Sequence, residues 1–205
     1  MQTEFNIKRE HNNSLYYLEY ENDSGIFQFH SQIELYFVDD GKMEITINNQ
    51  KQILKRGEMS VALSYDAHAY KTIDYSRSSV FIIPTYMCEK FITTVQHKRV
   101  INPFIVNKKV VKEIKKYILE IENNNINEIK LSGYIYVILG IIMENISFTS
   151  IREPLDPKLS SRILFYINEN YKKNITLNSI ASNFGYSAAY ISRLNPALIS
   201  ELISI

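Results

Sequence analysis

Along the first 83 residues, apolar and polar side chains alternate over short runs separated by turn residues, the period-2 signature of β-strands. Residues 27–38 show it most clearly. Phe27, Phe29, Ile33, Leu35 and Phe37 fall on one face, and Gln28, His30, Gln32, Glu34 and Tyr36 on the other. Residues 43–48 and 50–55 flank Asn48-Asn49, a pair that tolerates the positive φ of a two-residue hairpin. Residues 59–63 and 79–83 predict two more strands. Turns are expected at Asn22-Asp23-Ser24-Gly25, Asp39-Asp40-Gly41 and Arg56-Gly57. Many short strands at this spacing predict a sandwich or barrel.

Pro84 marks a change of period, and the remaining chain reads as largely helical. Residues 85–96 predict a short helix packed on the barrel. Residues 110–121 place apolar side chains at 110, 111, 114, 117, 118 and 121, an amphipathic stripe with Lys and Glu between them. Residues 129–148 are apolar on most faces, so this helix is expected to be buried on more than one side. Residues 150–157 (SIREPLDP) carry two prolines and read as a linker. A third helix is expected over 158–170, with Leu159, Ile163, Leu164 and Ile167 on one stripe.

The most specific stretch is 177–194, LNSIASNFGYSAAYISRL. It reads as two short helices joined by a tight turn, a helix-turn-helix. Gly185 sits where a positive φ is needed. Ala181, four residues earlier, is small enough for two helices to cross closely. Ile180, Phe184, Tyr186, Ile191 and Leu194 supply the apolar contacts, while Thr176 and Ser187 are good N-caps.

Composition narrows the class. The 205 residues are 45% hydrophobic and 22% charged, enough to bury a core, and the net charge of +1 requires any nucleic-acid contact to be local. Residues 157–205 hold five Lys or Arg against two Glu. One cysteine, Cys88, excludes an internal disulfide and a cysteine zinc site. The start lacks the pattern of a signal peptide, and no apolar run reaches the ~18 residues of a membrane span. The expected setting is the cytoplasm, with no membrane partner. No Ser/His/Asp arrangement or phosphate-cradling glycine loop is present, so no enzyme is expected.

The order of parts resembles the AraC/XylS family of transcription regulators. Ile167-Asn-Glu-Asn-Tyr171, Leu177 to Ala181, Gly185-Tyr186-Ser187 and the segment 190–194 match its DNA-binding domain. HSQIELYFVDDG (30–41), RGEM (56–59) and DAHAY (66–70) are similar to its cupin-type sensor domain. The resemblance implies an α+β chain. A cupin-like β-barrel (double-stranded β-helix) occupies 1–106, a helical dimerisation region 107–149, the linker 150–157, and a helix-turn-helix domain 158–205. It departs from the family at its end: only the first of two helix-turn-helix motifs is recognisable, and Asn195-Pro196 stops the recognition helix. The tail 195–205 reads as a truncated or frame-shifted end.

The implied partners are double-stranded DNA, a small effector and a second copy of the chain. Ser187, Ala188, Ala189, Tyr190, Ser192 and Arg193 are the candidate DNA contacts, with Lys172 and Lys173 for phosphate. Gln28, His30, Gln32, Glu34, Tyr36 and His68 form a polar barrel face suited to a sugar-like or other polar effector. Val110, Ile114, Tyr117 and Ile121 are the expected dimer seam. No cofactor is expected. His30, Glu34 and His68 do match three of the four ligand positions of metal-binding cupins, with Gln28 standing at the fourth. A metal-dependent small cupin enzyme is the rival reading. A sensor and dimerisation module without DNA binding is a third.

Overall fold

A computed structural model describes residues 3–6, 14–48, 50–123, 125–150 and 175–194, with scattered helical positions between 159 and 170. Eight strands form one sheet: β1 (Thr3–Phe5), β2 (Tyr16–Glu21), β3 (Phe27–Phe29), β4 (Ile33–Ile47), β5 (Gln50–Lys55), β6 (Glu58–Ala62), β7 (His68–Ile83) and β9 (Phe104–Ile105). The strand order is β1-β3-β7-β4-β6-β9, with β2 added to β7 and β5 to β4. Between β7 and β9 come a 3₁₀ turn at Thr85–Cys88, helix α1 (Glu89–Val95) and strand β8 (Lys98–Asn102). Helices α2 (Lys108–Asn123) and α3 (Glu128–Asn145) follow, then β10 (Ser147–Ser150), α4 (Leu177–Phe184) and α5 (Ala188–Leu194).

The frame is the antiparallel ladder between β4 and β7, which runs from Ile33 opposite Ile83 to Ile47 opposite His68. Asp39-Asp40-Gly41, expected to be a turn, lies inside β4 as a bulge. The register shifts between Val38 and Asp40 and again between Gly41 and Met43. Gly41 has φ +73°, and a Cβ there would sit 2.0 Å from the carbonyl oxygen of Tyr75. A glycine with positive φ serves a turn and a bulge equally well, so the local sequence does not separate them. The bulge switches the parity of the strand. Before it, Tyr36 and Val38 belong to the cluster lining the sheet's inner face; after it, Met43, Ile45 and Ile47 do.

Both faces of β4 are covered. Ile33, Leu35 and Phe37 pack outward with Met59, Val61 and Phe81 against Phe91, Ile114, Ile118, Ile135, Ile138 and Ile142 of the helices. Tyr36, Val38, Leu54, Tyr70, Val80 and Ile82 pack inward. This second burial surface explains why polar residues of the 27–38 pattern are inside rather than on the surface: His30, Gln32 and Glu34 are buried.

Several sequence expectations change. The strand expected at 79–83 begins eleven residues earlier, at His68. Among the described residues after Pro84, three strands lie among the helices. Helix α3 ends at Asn145, and Phe148 instead pairs with Val100 in the two-stranded sheet of β8 and β10. The apolar stripe of α2 serves the chain's own core: Ile114 and Ile121 are buried in it, and Val110 and Tyr117 pack against it. The seam drawn through these four residues therefore faces inward, against the barrel and α3. Linker residues 151–157 and the tail 195–205 lie outside the described residues. No described helix is long and apolar enough to cross a membrane.

Candidate functional site

Three strand ends bring the polar barrel residues together. Gln28 of β3 pairs with His68 at the start of β7, and His30 follows β3. Glu34 lies near the start of β4, four residues beyond His30. His30 Nε2 is 3.0 Å from Glu34 Oε2, and His68 Nε2 is 3.8 Å from Glu34 Oε1. The Tyr70 hydroxyl donates to Glu34 Oε1 at 2.7 Å. All three members of the cluster are buried.

The charge balance of this cluster is unusual for a barrel interior. Burial alone raises the Glu34 pKa, but His68 and His30 beside it, with the Tyr70 hydrogen bond, more than reverse that and bring it to about 2. Glu34 is accordingly an anion held by donors. His68 Nδ1 lies 2.8 Å from the carbonyl oxygen of Asp66. That oxygen only accepts, so Nδ1 carries the proton and Nε2 is the atom turned toward Glu34. Asp66 is itself fixed, its carboxylate accepting from Asn48 Nδ2 and from the Leu63 amide.

Two residues that the sequence pattern did not single out extend the network. Tyr70 stacks on Tyr36 with ring centroids 3.7 Å apart. The Tyr36 hydroxyl reaches Asp23 Oδ2 at 2.9 Å and Ser78 Oγ at 2.8 Å. Burial raises the Asp23 pKa, and the same effect pushes the Tyr36 and Tyr70 hydroxyls up, so both phenols stay protonated. Asp23 sits in a turn motif and Tyr70 in an irregular polar run, so neither showed its role by periodicity. Gln28 accepts from Asn6 Nδ2 at 2.9 Å, at the edge of this constellation.

The donor set can be tested against a metal. One nitrogen from each histidine and a Glu34 oxygen lie within 4.8 Å of one another. Imidazole and carboxylate suit a divalent transition ion, and the bond from His68 Nδ1 to a backbone carbonyl is the usual way a metal-ligating histidine is oriented. The three residues fit such an ion.

The second candidate is the helix pair. Thr176 and Ser179 form a reciprocal capping box at the start of α4, the Thr176 hydroxyl accepting from the Ser179 amide at 3.1 Å. Gly185 closes α4 in the left-handed region at φ 73°. Ser187 Oγ accepts from the Tyr190 amide at 3.1 Å and caps α5. Ile180, Ala181 and Ile191 are buried with Leu159, Ile163 and Ile167 in a separate small core. Of the expected DNA contacts, Ala188 and Tyr190 pack against this core, and Tyr190 stacks on Tyr186 at 4.9 Å. Ser187 and Ala189 are exposed, and Ser192 is half-buried. Lys172, Lys173 and the Arg193 side chain lie outside the described residues.

The chain is similar in fold to ToxT from Vibrio cholerae. One ToxT structure aligns with TM-score 0.61 at 11% identity, over 94% of this chain and 78% of that one. Another, bound to (E)-4-(8-methylnaphthalen-1-yl)but-3-enoic acid, gives 0.61 over 93% and 79%, again at 11% identity. The AraC-like transcriptional activator CuxR aligns with TM-score 0.46 at 13% identity, over 85% of this chain and 67% of that one. No protein-family model matches the sequence, and no curated protein sequence matches it. The likeness to ToxT therefore holds at the level of the fold.

Proposed function

We propose that this chain is a DNA-binding transcription regulator of AraC type whose barrel senses a small effector. The observation that carries the reading is a capped, glycine-turned helix pair with an open outer side, on the same chain as a barrel holding a buried polar cluster. The pair presents Ser187 and Ala189 outward from the start of α5, where a recognition helix meets base edges. In the barrel, an anionic Glu34 beside His30, His68 and Tyr70 suits a hydroxylated or cationic group. Ligand-bound ToxT supports a small organic effector for this fold. The effector acts by binding two domain arrangements with different affinity.

Fluorescence anisotropy with duplex DNA from upstream of the gene tests the reading. Saturable binding that weakens steeply with salt is expected. Ala189→Asp, an exposed substitution, is expected to abolish binding while leaving the thermal melt unchanged. Undiminished binding by that variant would remove the helix pair from the interface.

A second reading rests on the convergence of His30, Glu34 and His68: the barrel holds a divalent transition ion, as metal-binding cupins do. Elemental analysis of purified protein decides it. Near-stoichiometric zinc, iron, nickel or manganese that is lost in Glu34→Gln favours the metal over the organic effector.

A further inference from the structure

Helix α2 carries its charge against its own dipole. Five of its first nine residues are lysines, with no acidic residue in the first turn and no basic residue in the last. A helix is positive at its N-terminus and is stabilised there by acids, so this distribution costs stability. Lys108, Lys109, Lys112 and Lys116 are exposed, and residues four apart recur about every 6 Å along one side of a helix.

These lysines form one wall of an open groove of about 920 Å³. The opposite wall is the end of the first half of β4 and the Arg56-Gly57 turn. Gly57, at φ +83°, leaves room for the Lys108 stem, whose Cγ and Cδ would lie 3.3 Å from an added Cβ. Six cationic side chains line the groove against three carboxylates. Of those carboxylates, Asp39 is already paired with Lys115, which also lies 5.1 Å over the Phe37 ring. The excess of positive charge here is larger than that of the whole chain, +1. Concave shape, cations at one-turn spacing and the helix's own positive end all favour a chain of phosphates.

We infer that the α2 groove is a second, sequence-independent DNA contact that holds a phosphate backbone while the helix pair reads bases. The inference rests on the proposed DNA binding. Its contribution is electrostatic, so it is measured by the salt dependence of affinity, whose log–log slope falls by about 0.9 for each phosphate that the protein no longer neutralises.

The full chain, Lys109→Gln/Lys112→Gln and a control, Lys51→Gln/Lys71→Gln, are compared by anisotropy between about 50 and about 200 mM salt, the range where such slopes are read. Each is tested on the upstream duplex and on a scrambled duplex of equal length. The α2 variant is expected to drop by about 1.8 in slope on both duplexes, with the control at the value of the unaltered chain. An α2 variant that keeps the full slope overturns the inference and leaves the helix-pair reading standing. So does a drop confined to the upstream duplex, which would mean base readout. Absence of DNA binding by the unaltered chain fails the proposed function itself.

Discussion

Replacing Glu34 by glutamine removes one charge from the barrel cluster while keeping its volume and an acceptor for the Tyr70 hydroxyl. The carboxyl falls from an ordinary 4.5 to about 2 in the folded chain, held down against burial by His68 and His30. A depressed carboxyl pKa contributes stability that is fully present above the unfolded value and disappears as pH falls through the folded one. The window is therefore between about 4.5 and about 2. The shift corresponds to about 3 kcal/mol at pH 7 and about half of that at pH 3. Breaking a buried ion pair by removing one partner costs a similar amount. Urea unfolding of the unaltered chain and of Glu34→Gln at both pH values measures the difference. The variant should lose about 3 kcal/mol at pH 7 and clearly less at pH 3. An equal loss at both would mean that the substitution acts through packing, and the electrostatic account of the cluster would be wrong.

Two further substitutions probe the frame. Gly41→Ala forces a Cβ onto the Tyr75 carbonyl oxygen at a positive φ, and should cost at least about 3 kcal/mol. Gly133→Ala, in α3 with no atom within 4 Å of the new Cβ, should instead stabilise by about 0.5–1 kcal/mol; thermal melts that rank the two alike would contradict both assignments. Thr176→Ala removes the capping box of α4 and should cost about 1 kcal/mol. Hydrogen exchange should register that loss in 177–184 and leave the barrel amides protected; uniform deprotection would refute a local role.

The helix pair was the most legible part of the chain because its rules are local. A capping threonine, a glycine at positive φ and a capping serine each act within four residues of themselves. The barrel cluster was legible in membership but not in geometry. His30 and Glu34 share one alternating run, whereas Tyr70 and Asp23 join them only through pairing with distant strands. The first half of β7 was hidden because Lys71, Asp74, Tyr75 and Arg77 interrupt its alternation, while Ser76, Ser78 and Ser79 are buried without being apolar. The α2 stripe showed that one face is covered. Which surface covers it depends on how the sheet curls, and periodicity carries no information about that.

That curl has one more consequence. Glu34 pairs with Ile82 near one end of the β4–β7 ladder, and His68 pairs with Ile47 at the other. Thirteen residues of strand, about 40 Å if straight, separate these two ends. Yet His68 and Glu34 are within 3.8 Å. The ribbon has bent round until its ends touch, and His68 meets the carboxylate only once the circle is complete, whereas His30 reaches it from four residues away along the chain. Glu34 protonation therefore reports closure of the ring: the His68 charge, the largest influence lowering its pKa, reaches it only in the closed form.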